Sequence, residues 1–152
     1  MDPSDAKARF YARTMHTPDD AVRARLRDAL RELSRALIPL HRHLIEAAKA
    51  DYVFGYEAAA VGTPSQFLQL LQNDPFFAWL KPITGLIVDI DEMTRTDFER
   101  ADVDGIVARA ERLFGANAES EFTEKYVPML QNHVDVAIAH AAVRPVLAKL
   151  QA

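Results

Sequence analysis

The chain contains no cysteine, which excludes disulfides, thiolate metal sites, iron–sulfur clusters and cysteine nucleophiles. Its five glycines are scattered singly, so neither Gly-x-x-x-x-Gly-Lys-Ser/Thr nor Gly-x-Gly-x-x-Gly can cradle a phosphate. Gly-x-Ser-x-Gly is missing too. Ser4, Ser34, Ser65 and Ser120 fall at helix caps or flanks with no histidine close in sequence, so nucleophilic catalysis has no candidate triad. No apolar run reaches the roughly 18 residues that a membrane helix requires. The start, Met1-Asp2-Pro3-Ser4-Asp5, lacks the basic stretch and apolar core of an export signal. The expectation is a cytoplasmic protein with no membrane contact.

What is present fits a globular domain. The 152 residues are 49% hydrophobic and 26% charged, enough to bury one core of ordinary size. The net charge is −4, which disfavours nonspecific attraction to nucleic acid. Residues 1–50 carry ten Lys/Arg against seven Asp/Glu, and residues 51–152 carry eight against fifteen. That asymmetry reads either as a basic helix packed beside acidic ones or as a basic side for an anionic partner.

Helix boundaries are legible. Thr17-Pro18-Asp19-Asp20 and Thr63-Pro64-Ser65-Gln66 each put a hydroxyl at the N-cap and proline at the first helical position. Gln66 adds a capping box. Asp74-Pro75, then either Thr96 paired with Glu99 or else Asp102, then Asn117 or Ser120 open three more. Gly62 and Gly115 read as left-handed stops. The predicted helices span roughly 19–61, 64–72, 75–94, 102–114 and 119–150. Gly55 is a weak point in the first of them. Residues 1–16 read as a flexible or short-helical arm, and 17–152 as one helical-bundle domain.

Two long helices dominate this reading. Leu26, Leu30, Leu33, Leu37, Leu40 and Leu44 recur at 4-3-4-3-4 spacing, an apolar seam interrupted by Pro39. Phe122, Tyr126, Met129, His133, Val136, His140, Val143, Leu147 and Leu150 repeat similarly in the last helix, with Pro128 and Pro145 bending it. The 75–94 helix is apolar around well over half its circumference. The predicted class is all-α, an irregular up-down helical bundle with two long helices and shorter connecting ones.

Asp74-Pro75-Phe76-Phe77-Ala78-Trp79-Leu80-Lys81-Pro82, continuing to Ile87-Val88-Asp89-Ile90-Asp91-Glu92, resembles a group of small bacterial all-helical proteins with no assigned activity. The resemblance covers residues 26–94 at most. It implies a bacterial, cytosolic helical protein and no chemistry.

Four constellations are candidates for function. His133 and His140, two turns apart in the apolar seam, lie near Tyr126 and Arg144, and His41 occupies the facing midpoint of the first helix. These five form a candidate ligand pocket, with arginine for an anionic group and histidine tuning affinity near neutral pH. The Glu-x-x-His of dimetal bundles is absent, so no metal site is assigned. Arg23, Arg27, Arg31 and Arg35, spaced by four, form a candidate anion-binding ridge, with Asp28 and Glu32 as internal partners. No aromatics interleave it for base stacking. Asp89 and Asp91 are about 160° apart on a helix, too far for shared ligation. Phe77 and Val88 add apolar surface on the polar side of the 75–94 helix, a candidate interface.

The sequence therefore predicts a noncatalytic helical interaction protein, self-associating or bound to a protein partner, with no cofactor and no catalytic residues. The alternative is a bundle that binds a small molecule, anion or metal through the inward histidines of the last helix.

Overall fold

A computed structural model describes the backbone of residues 3–55, 62–116 and 119–151 and the side chains of residues 20–53, 62–116 and 119–151. The order is α1 (Pro3–Gly55), α2 (Pro64–Asn73), a 3-10 helix (Pro75–Leu80), α3 (Lys81–Thr94), α4 (Arg100–Phe114), α5 (Glu121–Asn132) and α6 (Val134–Gln151). The fold is all-α, with no strand among the described residues.

Four helices make the bundle. Neighbouring packed pairs are α1 with α3, α3 with α4, α4 with α6, and α6 back to α1. Polar ties fix the directions. Arg27 reaches Thr96, His41 reaches Thr84 and Tyr52 reaches Asp74, so α1 and α3 run antiparallel. Arg109 meets Asp89, while Arg100 reaches Leu150 and Arg144 reaches Phe114, so each remaining neighbour reverses in turn. The result is an up-down-up-down ring. The leucine seam of α1 fills its middle, every member from Leu30 to Leu44 at 0% exposure, against Ile83, Leu86, Ile90, Val103, Ile106, Val143, Leu147 and Leu150.

One end of the ring is closed by rings of another kind. Tyr52, Phe67, Phe76 and Phe77 meet at centroid distances of 5.0–5.7 Å, and Trp79, Phe114, Phe122 and Tyr126 at 5.0–6.1 Å. Edge-to-face and offset contacts of this kind suit the aromatic quadrupole.

Several predicted boundaries hold. Thr63 and Gln66 form the capping box of α2, Asp74 caps the 3-10 helix through Phe76 N–H, and Ser120 caps α5 through Thr123 N–H. The start of α4 differs: Glu99, not Thr96 or Asp102, is the N-cap, with Asp102 completing a reciprocal capping box. Asn117 and residues 56–61, the expected tail of the first helix, lie outside the described residues.

Others need correction. Thr17-Pro18 does not start a helix, because α1 already begins at Pro3. Good helix formers upstream, Ala6-Lys7-Ala8-Arg9 and Ala12-Arg13, carry it into the proline. It also continues through Pro39. The carbonyl which that proline leaves unpaired belongs to exposed Arg35, where water can serve it.

The expected 75–94 helix divides at Pro82. A proline there has no N–H and crowds the carbonyl of Ala78, so the preceding turn tightens to 3-10 and α3 starts afresh. This rotates Phe77 away from the face it shares with Val88 in a continuous α-helix. Phe77 is 1% exposed, packed against Tyr52, Phe67 and Phe76, and is core rather than interface.

The expected 119–150 helix divides as well. His133 is extended (φ −127°, ψ 109°), its N–H still bonded to Met129 and its carbonyl to Ala137 N–H. Asn132 and Asp135 flank it, both residues that favour helix ends over interiors. Gly115 closes α4 with φ −69° and ψ 150°, and no glycine among the described residues has positive φ. Close approach explains the residue instead: a Cβ at Gly115 would sit 2.5 Å from the Glu111 carbonyl oxygen.

Candidate functional site

The strongest polar contact of the predicted pocket lies where α4, α5 and α6 meet. Tyr126 projects from the buried face of α5, and His140 stands on the flank of α6. The Tyr126 hydroxyl and His140 Nδ1 are 2.7 Å apart. A neutral imidazole that accepts this hydroxyl proton at Nδ1 keeps its own on Nε2. Burial favours that state on both sides. It raises the Tyr126 hydroxyl above its ordinary range, and it lowers His140, with the Arg144 charge lowering it further. Phe114 and Phe122 enclose the pair, with ring centroids 5.6 and 5.0 Å from that of Tyr126.

Arg144 is already engaged. Its guanidinium donates to the Phe114 carbonyl at 3.4 Å and meets Glu111 at 3.5 Å, which suits a cation at the C-terminal end of α4. Beside it lies an open groove of about 580 Å³ lined by Glu111, Arg112, Gly115, Glu119, Ser120 and Arg144. Two carboxylates and two guanidiniums balance there, so the groove holds no net attraction for an anion.

The other two members of the predicted pocket stand elsewhere. His41 Nε2 is 2.9 Å from the Thr84 hydroxyl in the α1–α3 seam, and burial lowers its pKa. His133 occupies the elbow between α5 and α6. The break at His133 removes it from the face of His140, so the two histidines do not form one inward line. Three of the five residues converge: Tyr126 and His140 bond to each other, and Arg144 beside them bonds to Phe114 and Glu111. Among the described residues no group of three or more His, Asp or Glu could hold a metal ion.

The arginine row divides likewise. Residues four apart advance by about 40° per step around a helix, so Arg23 and Arg35 face different neighbours. Arg27 turns inward: it donates to the Thr96 carbonyl at 3.1 Å, and its guanidinium lies 5.4 Å from the Phe98 ring centroid. Arg31 meets Asp28 at 3.7 Å. Arg35 lines a groove of about 570 Å³ with Arg25, Asp28, Glu32, Arg100 and Lys149, in which Lys149 is bridged to Glu32 at 3.1 Å. The acidic group is equally committed. Asp89 pairs with Arg109, Asp91 with Arg95 and Asp104 with Arg100.

No family model, curated protein or solved structure matches this chain. No helix among the described residues is long and apolar enough to cross a membrane.

The apolar surface remains. Val88 is 49% exposed, as its place in the predicted interface required, and the register of α1 on α3 sets half-exposed Ile38 level with it. Val127 on α5, and Val134 and Ile138 one turn apart on α6, also face water. The last two begin a row on α6, Val134, Ile138, Ala141, Pro145 and Ala148, at 4-3-4-3 spacing and exposed throughout. That spacing is present in the sequence. It was hidden because a second apolar seam, on the opposite side of the same helix, accounts for the periodicity.

Proposed function

We propose that the protein is a noncatalytic helical interaction module that associates with copies of itself. The observation that supports this reading most is the apolar surface left after the core is complete. Ile38, Leu68, Val88, Val127, Val134 and Ile138 stay exposed, the two most exposed of them, Val134 and Ile138, one turn apart on α6. Scattered apolar side chains on a surface are ordinary, whereas grouped ones favour a partner. The polar clusters favour it from the other side, since Tyr126 bonds to His140, Arg144 to Glu111, and the groove that Arg144 lines carries balanced charges. For the same reason a pocket for a small molecule, anion or metal is the weaker alternative.

Sedimentation velocity across a concentration series tests the proposal. The expected result is a sedimentation coefficient that rises with concentration and falls again on dilution. A single monomeric species throughout, with no protein partner retained in a pull-down, overturns it.

A further inference from the structure

The helix α6 is apolar on two opposite sides. Val136, Ala139, Val143, Leu147 and Leu150 are buried against α1 and α4. Val134, Ile138, Ala141, Pro145 and Ala148 stand about 180° around the axis at 100° per residue. A helix apolar on both sides belongs between two partners, and here one side has none. Val134 and Ile138, at 74% and 64%, are the two most exposed large apolar residues among those described.

We propose that this outer row of α6 is the self-association surface, and that its occupant is the same row of a second copy running antiparallel. This rests on the self-associating reading above and gives it a location. Charge selects the occupant and its direction. Asp135, Ala142 and Lys149 each follow a member of the row by one residue, so they lie seven apart along one flank. Asp135 is in the first turn of α6 and Lys149 in the last. A two-fold axis at Ala142, their midpoint, sets Asp135 of each copy against Lys149 of the other, whose side chain bridges Glu32 at 3.1 Å while remaining 60% exposed to a second carboxylate. A parallel copy would set this flank against the other one, which carries Ala137, Arg144 and Gln151, and would form no such pair. Antiparallel pairing also opposes the two helix dipoles favourably. The contact is isologous, so it closes at two copies and does not propagate. Alanines at 141 and 142 let the two backbones approach at the axis. The row is about 21 Å long at 1.5 Å per residue, which puts the contact at the small end of specific interfaces and makes the dimer reversible.

The absence of cysteine makes the test clean. In an Ala142→Cys variant the only thiols are the two at the axis, and a short bis-maleimide should join them into a covalent dimer. Leu68→Cys, on α2, should remain uncrosslinked at the same concentration. Ile138→Asp should weaken the dimer about thirtyfold or more by burying a carboxylate in the contact, read by sedimentation from about 1 μM to 1 mM. Its far-ultraviolet circular dichroism should be unchanged, because residue 138 is already exposed. If the unmodified chain dimerises but ignores Ile138→Asp and fails to link through Ala142→Cys, the α6 surface is wrong while self-association stands. If the unmodified chain remains monomeric to 1 mM, both are overturned.

Discussion

At the scale of single residues, the chemistry is mostly that of groups satisfying one another. His140 and His41 both have pKa values lowered from 6.5, chiefly by burial. The unfolded chain therefore binds more protons than the folded one just below pH 6.5. Their contribution to stability is complete above that value and declines as pH falls towards the folded-state pKa values. Urea midpoints measured from pH 8 to pH 5 should be flat at first and then drop. Arg144→Gln removes the cation beside His140. The histidine should then titrate closer to 6.5 by NMR, with a smaller acid drop; an unchanged titration would show that Arg144 does not act on it. The sequence set Tyr126, His140 and Arg144 on one line of a single helix, whereas the structure brings Tyr126 to His140 from α5, across the break at His133. The sequence could not supply Glu111 or Phe114, whose approach depends on α4 folding back. Nor could it separate His133 from His140, since one extended residue interrupts the period without disturbing the apolar pattern.

At the scale of elements, starts were easier to read than continuations. A cap is a local exchange of hydrogen bonds, and Thr63 with Gln66, Asp74, Ser120 and Glu99 all act within three residues of themselves. Interruptions depend on longer balances. Pro18 and Pro39 are absorbed by α1, whereas at Pro82 the preceding turn tightens to 3-10 and Lys81 N–H serves the Ala78 carbonyl. The helix α2 buries none of its residues completely and so depends heavily on its cap. Thr63→Ala should cost about 1 kcal/mol and speed amide exchange within α2 while leaving the bundle helices protected. Uniform acceleration across all helices would mean that α2 is coupled to global unfolding.

At the scale of the whole molecule, the leucine seam determines stability. Leu37 is fully buried among facing side chains of the ring, and Leu37→Ala should cost about 3 kcal/mol through lost transfer energy and the cavity left behind. Leu68→Ala, at a position 53% exposed, should change little. Comparable losses in the two variants, measured by urea denaturation, would place the core elsewhere. The all-α class was legible because 4-3 periodicity admits few other solutions. The ring order was not, because it depends on which seams face which, and α6 offers two.

Arg27, His41 and Tyr52 fasten the opposing stretch from Thr96 back to Asp74 at three levels of α1. Tension applied along that rod would load all three fastenings side by side rather than one after another. The two halves should resist sliding as a riveted lap joint does, holding until the rivets shear together.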